Sequence, residues 1–123
     1  MKKLTTIISA LMALGLGTSA SAQVNLTAET ASPSSAPGVS VIALSEAAAK
    51  YNVANMQVTT GQTLTNSVQN VAEGKSDVAA APFVLPFLLS RAVGPYAKVG
   101  KEKGAELASQ LAVLYTYLSL IHI

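Results

Sequence analysis

From Val24 to Tyr117 the chain switches repeatedly between two hydrophobic rhythms, and that alternation limits its fold more than any single motif does. Val24, Leu26 and Ala28 alternate with Asn25, Thr27 and Glu29, a period of two that predicts a strand. Val41, Leu44, Ala48 and Tyr51, joined by Ile42 and Ala49, recur at helical spacing over Val39 to Tyr51, and Ala47-Ala48-Ala49 adds intrinsic helix preference. Met56 to Thr59 reads as a second strand. Leu64, Val68, Val71 and Ala72 then mark one face of a helix that Thr63 can cap and Gly74 can close. Asp77 leads into Val78 to Ala81, a small apolar run suited to a buried parallel strand. Phe87 to Val93 predicts a short helix stopped by Gly94-Pro95. Lys98 to Lys103 reads as basic and solvated, Ala105 to Gln110 as helix or turn, and Leu111 to Tyr117 as a further strand. Strands and helices in this order predict an α/β fold with a mostly parallel sheet, flanking helices and right-handed crossovers.

The two ends read differently from the middle. Met1-Lys2-Lys3 is a basic start, Leu4 to Gly17 is uncharged and mostly apolar, and Ala20-Ser21-Ala22 supplies a small-residue cleavage pattern. Residues 1–22 are therefore expected to be a cleavable secretory signal, shorter in its apolar part than a membrane-crossing helix. Residues 118–123, Leu118-Ser119-Leu120-Ile121-His122-Ile123, match one in-frame translation of the end of a common transposase-based sequencing adapter. They are expected to be a library artefact, a natural apolar tail being the other reading. His122 is the sole histidine, so the first reading also removes the usual acid–base and metal candidate.

Of eight basic and six acidic residues, Lys2 and Lys3 leave with the signal, so the two signs then balance. That balance argues against a nucleic-acid partner. With no cysteine, an exported chain of this size must rely on core packing or belong to something larger, which suits a bacterial periplasm. Glu73 and Asp77 form a close carboxylate pair and straddle Gly74, a placement that reads as a solvated turn rather than acid–base chemistry. Without a cysteine nucleophile or metal-ligand spacing, an enzyme is not expected, and no cofactor is called for.

Ligands of open parallel sheets gather at the carboxyl ends of the strands. Three loops would lie there: Thr30 to Gly38, with Ser34 and Ser35; Thr60-Gly61-Gln62-Thr63; and Pro82-Phe83. Two of them lead into helix N-termini, where free backbone N–H groups and the helix dipole attract anions such as carboxylates. The structural alternatives are that Thr63 only caps its helix, Phe83 belongs to the core and the Ser/Pro-rich loop is a plain connector.

Three segments together resemble the amino-terminal lobe of a TAXI-type solute receptor, the periplasmic component of TRAP transporters. They are the strand–loop–helix ending Glu46-Ala47-Ala48-Ala49-Lys50, the loop Thr60-Gly61-Gln62-Thr63 with Asn66, and Ala72-Glu73-Gly74-Lys75-Ser76-Asp77-Val78-Ala79. Leu111 to Tyr117 is similar to the strand before the first passage to the other lobe. The first loop departs from the family, which has a Gly-rich turn and paired aromatics where this chain has Ser34-Ser35-Ala36-Pro37-Gly38 and then Val39, Val41 and Ile42.

The resemblance implies that residues 23–117 are an incomplete first lobe of a type II periplasmic binding protein. Such a protein closes on a small anionic solute, an acidic amino acid or dicarboxylate, and delivers it to a sodium-coupled membrane permease. By position, Thr60, Gly61, Gln62 and Thr63 would supply donors to a carboxylate, Ser34 and Ser35 would assist, and Pro82 and Phe83 would form an apolar wall. A receptor of an ABC transporter and an exported ligand sensor are the alternatives. The first lobe alone is expected to bind solute weakly and, with an apolar edge and face uncovered, to be marginally stable.

Overall fold

The structure, a computed structural model, describes residues 23–116; the predicted signal at 1–22, Tyr117 and the suspected adapter residues 118–123 lie outside it. Strand β1 (Val24–Glu29) runs into helix α1 (Ala36–Lys50), strand β2 (Ala54–Thr59), helix α2 (Leu64–Ala72) and strand β3 (Val78–Ala79). Helix α3 (Val84–Arg91), a 3-10 turn (Gly94–Tyr96) and helix α4 (Lys101–Ser109) complete the order. The three strands are parallel in the order β2-β1-β3, so the predicted α/β class holds. Leu26 stands opposite Met56, and Ala28 opposite both Val58 and Val78.

Local chemistry explains where the boundaries fall. Helix α1 begins at Ala36, three residues before the periodicity would start it, because Ser35 caps it and Pro37 sits in the first turn, where a missing N–H costs nothing. Helix α3 likewise starts at Val84 rather than Phe87, with Pro86 in its first turn. The basic stretch from Lys98 is exposed, but Lys101 already opens α4. β3 has two ladder residues where four were expected.

The strand expected over Leu111 to Tyr117 is a correction: residues 111–116 pair with no strand among the described residues. Instead this segment runs back toward α1, where the Tyr115 hydroxyl lies 2.6 Å from the Ser40 hydroxyl.

Two apolar clusters result. Ala28, Val41, Ala54 and Met56 are buried between the sheet and α1, with Leu26, Leu44, Ala48, Val58 and Val78 around them. Val68, Ala72, Leu85, Leu89, Tyr96 and Leu107 form a second core among α2, α3, the 3-10 turn and α4. Ala80 packs on the first cluster and its neighbour Ala81 on the second.

Polar bonds tie the sheet to α2 and to the turn that follows it. Asn70 donates from Nδ2 to both Glu29 carboxylate oxygens, at 3.2 and 3.0 Å. Ser76 donates to the Thr27 carbonyl. The open sheet face is also polar, carrying Asn25, Thr27, Asn55, Gln57 and Thr59 exposed, not apolar as expected. The period of two in β1 and β2 places Leu26, Ala28, Ala54, Met56 and Val58 toward α1, and Val24, of the same parity, is exposed at the start of β1.

Candidate functional site

Because all three strands are parallel, the loops after β1, β2 and β3 leave the same edge of the sheet, with β1 in the centre. The loops after β1 and β2 are fastened together by main-chain bonds. Thr30 N–H donates to the Thr59 carbonyl, Gly61 N–H to the Ala31 carbonyl, and Gln62 N–H to the Thr30 carbonyl, all at 3.0 to 3.1 Å. Gly61 makes the turn at φ +87°, a conformation that suits glycine.

The two helix N-termini differ in what they leave free. In α1 the Ser35 hydroxyl accepts from Gly38 N–H at 3.2 Å and donates to the Ser32 carbonyl at 2.6 Å. Val39 N–H bonds the Ser35 carbonyl and Pro37 has no N–H, so Ala36 carries the remaining first-turn amide. The chain before the helix also folds over this end: a Cβ on Gly38 would stand 2.1 Å from the Ser32 carbonyl oxygen. Ser35 is thus a cap, and Ser34, exposed, pairs its hydroxyl with that of Ser32 at 3.0 Å.

Helix α2 keeps more. The Thr63 hydroxyl accepts from Asn66 N–H at 3.3 Å and lies 3.2 Å from the Thr65 hydroxyl. Leu64 and Thr65, at the first two helical positions, have no hydrogen-bond partner for their amides among the described residues. Thr60, Gly61 and Thr63 are exposed and Gln62, Leu64 and Thr65 half-buried; with the Gly61 and Gln62 amides bonded to the first loop, the hydroxyls and the Leu64 and Thr65 amides are the donors left around this helix start. That arrangement can bind a carboxylate through hydroxyls and backbone amides, assisted by the helix dipole.

The third loop stands apart. Pro82 accepts from Leu85 N–H through its carbonyl, and Phe83, at the N-cap of α3, is 79% exposed rather than core. No hydrogen bond among the described residues joins Pro82 or Phe83 to the other two loops. A shallow groove of about 570 Å³ lined by Phe87, Ser90, Arg91, Val93 and Lys101 lies at the other end of α3. There the Arg91 guanidinium stacks over the Phe87 ring at 5.5 Å.

The carboxylates near α2 are occupied. Asp77 accepts through Oδ2 from Thr27 N–H at 2.7 Å and from the Thr27 hydroxyl at 2.9 Å. Those two bonds, the backbone one foremost, hold its carboxyl below the ordinary range. Glu73 pairs with Lys75 and accepts from Gln69, and the Lys75 contact chiefly lowers its carboxyl.

Two residues important to this region escape a reading of the sequence. Thr30, wholly buried, gives both its N–H and its carbonyl to the inter-loop fastening, which Ala31 completes; it continues the Leu26/Ala28 parity, the one signal that could have marked it as inward. Tyr96, 1% exposed, donates its hydroxyl to the Thr65 carbonyl at 2.9 Å and so supports the start of α2 from within the helical core. Nothing in the spacing between Tyr96 and Thr65 announces that bond. No protein-family model, curated protein or solved structure matches this chain.

Proposed function

We propose that the chain is the first lobe of a periplasmic solute receptor, of the TAXI type that its sequence resembles. It would present a small anionic solute, an acidic amino acid or dicarboxylate, to a TRAP membrane permease. The observation that carries this reading is the set of donors at the start of α2. The Leu64 and Thr65 amides, with the Thr60, Thr63 and Thr65 hydroxyls, stand at the carboxyl edge of a parallel sheet. Backbone bonds from Thr30 and Ala31 fix that loop to the central strand, so its donors are held in place before any ligand arrives. Ser34, Pro82 and Phe83 would contribute from the flanking loops, Phe83 as an exposed apolar surface for the solute's carbon chain, while Ser35 serves as the cap of α1.

Closure by a second lobe supplies much of the affinity of such receptors, so one lobe alone binds weakly. Amide NMR titration of the chain with glutamate and with succinate, against uncharged glutamine, tests the idea. Both anions should shift the Gly61 to Thr65 signals at millimolar concentration, and glutamine should shift them less. Anion-induced shifts that avoid this segment, or none at all, sink the reading; micromolar affinity would refute the dependence on a second lobe. An ABC-linked receptor would share this geometry, and the adjoining genes separate the two: a fused multi-span permease for TRAP, an ATPase for ABC.

A further inference from the structure

The groove at the last turn of α3 is made by a close approach of two helices. A Cβ on Gly104 would stand 2.4 Å from the Leu89 carbonyl oxygen and 3.3 Å from the Ala92 side chain, so any other residue would push α4 away from α3. Lys101 lies one turn before Gly104 on the same helix face, and α3 and α4 thus each bring a cation, Arg91 and Lys101, to the groove. No carboxylate lines it. Neither cation is in an ion pair among the described residues; Lys103 pairs with Glu106 and Lys75 with Glu73.

Arg91 is presented edge-on. The Phe87 ring covers one face of its guanidinium, and the N–H edge, which meets no acceptor among the described residues, is free to take a carboxylate through two parallel bonds. Beyond Phe87 the flank continues apolar. Phe83 and Phe87, the chain's two phenylalanines, are 79% and 55% exposed at helical spacing, with Val84 exposed beside them. A contiguous apolar surface of this kind marks a place that another molecule covers. From Phe83 to Arg91 the strip runs about 12 Å, the length of a decanoyl chain.

Charge selects the occupant. Residues 80–116 carry Arg91, Lys98, Lys101 and Lys103 against Glu102 and Glu106, whereas residues 23–79 carry Lys50 and Lys75 against Glu29, Glu46, Glu73 and Asp77. The helical half is net basic, and its two unpaired groove cations complement an anion. We infer that groove and strip bind a monomeric medium-chain alkyl carboxylate, its head on Arg91 and Lys101 and its chain along Phe87, Val84 and Phe83. An anionic bilayer would meet the same cations but would also press on Glu102 and Glu106, exposed on α4, whereas a single carboxylate in the groove meets no acid on its walls. The site is separate from the donors at the start of α2 and does not rest on the receptor reading.

Amide NMR titration of the full chain with decanoate below its micelle concentration tests this. Decanoate should shift the Phe87 to Val93 and Lys101 signals saturably, and about tenfold more tightly than hexanoate, since the extra methylenes are half-buried on the strip. Octanoate should bind about tenfold more tightly than uncharged 1-octanol, and acetate, which lacks the chain, should not saturate. Arg91→Gln and Lys101→Gln should each weaken decanoate binding by about fivefold or more with the far-UV spectrum retained. Lys98→Gln, outside the groove, should bind as the parent does. Equal binding of octanol and octanoate overturns the inference, as do shifts confined to other segments, Gly61 to Thr65 included. So does unaltered affinity in either groove variant, or binding to phosphatidylglycerol vesicles with none of the monomer. Should one groove variant unfold, the other and the octanoate–octanol ratio still decide.

Discussion

Asp77 shows how one side chain can be misjudged by its neighbours in sequence. Beside Glu73 it reads as half of a solvated pair, yet its carboxylate reaches back fifty residues to grip both the amide and the hydroxyl of Thr27. A carboxyl held below its ordinary value favours the folded state while ionised. That contribution is complete above the ordinary Asp range near about 4 and disappears as pH falls through the lower folded-state value. Thermal melts recorded from neutral pH to about pH 2 should therefore show an acid-induced fall in Tm that Asp77→Asn makes shallower. An unchanged slope in the variant would assign the acid limb to other groups, Glu73 first among them. Ser35 is a second case: as a pocket residue it would point outward, but its hydroxyl is committed to Gly38 and Ser32, and it contributes as a cap.

At the level of elements, Tyr96 links the helical core to the mouth of the site. Tyr96→Phe removes one hydrogen bond to the Thr65 carbonyl and should cost about 1 kcal/mol in urea unfolding. It should also raise amide exchange in Thr63 to Ser67 more than in α4; uniform exchange would reduce Tyr96 to a packing residue. The elements legible in the sequence were those with a strong rhythm. β1 falls on its predicted residues because three apolar–polar alternations admit one register, and α2 because Thr63 and Gly74 mark both its ends. Leu111 to Tyr117 failed because an apolar β-prone run specifies extended chain only if a neighbouring strand receives it, and none does among the described residues. The loops' convergence followed from the parallel topology. The saturation of α1's N-terminus did not, since it depends on how Ser32 and Pro33 fold over Gly38.

The described residues form two apolar cores joined by a polar seam. α1 and the sheet hold one; α2, α3, the 3-10 turn and α4 hold the other; Asn70–Glu29, Ser76–Thr27 and Asp77–Thr27 lie between. A seam of hydrogen bonds at partly solvated positions couples its two sides less firmly than shared apolar packing would. Asn70→Ala should thus lower the opening free energy of α2 to α4 by about 1 kcal/mol while leaving β1 and β2 exchange nearly unchanged. Equal loss on both sides would show that the cores open as one.

Tyr96 also gives the molecule an optical label of its own. The chain has no tryptophan, and among the described tyrosines Tyr51 and Tyr115 are exposed while Tyr96 is enclosed. An aromatic ring held in one asymmetric environment absorbs left- and right-circularly polarised light unequally, and a freely rotating one scarcely does. Among the described tyrosines, Tyr96 is therefore the ring whose near-ultraviolet dichroism reports on the helical core, and a Tyr96→Phe difference spectrum followed on warming would time the loosening of that half.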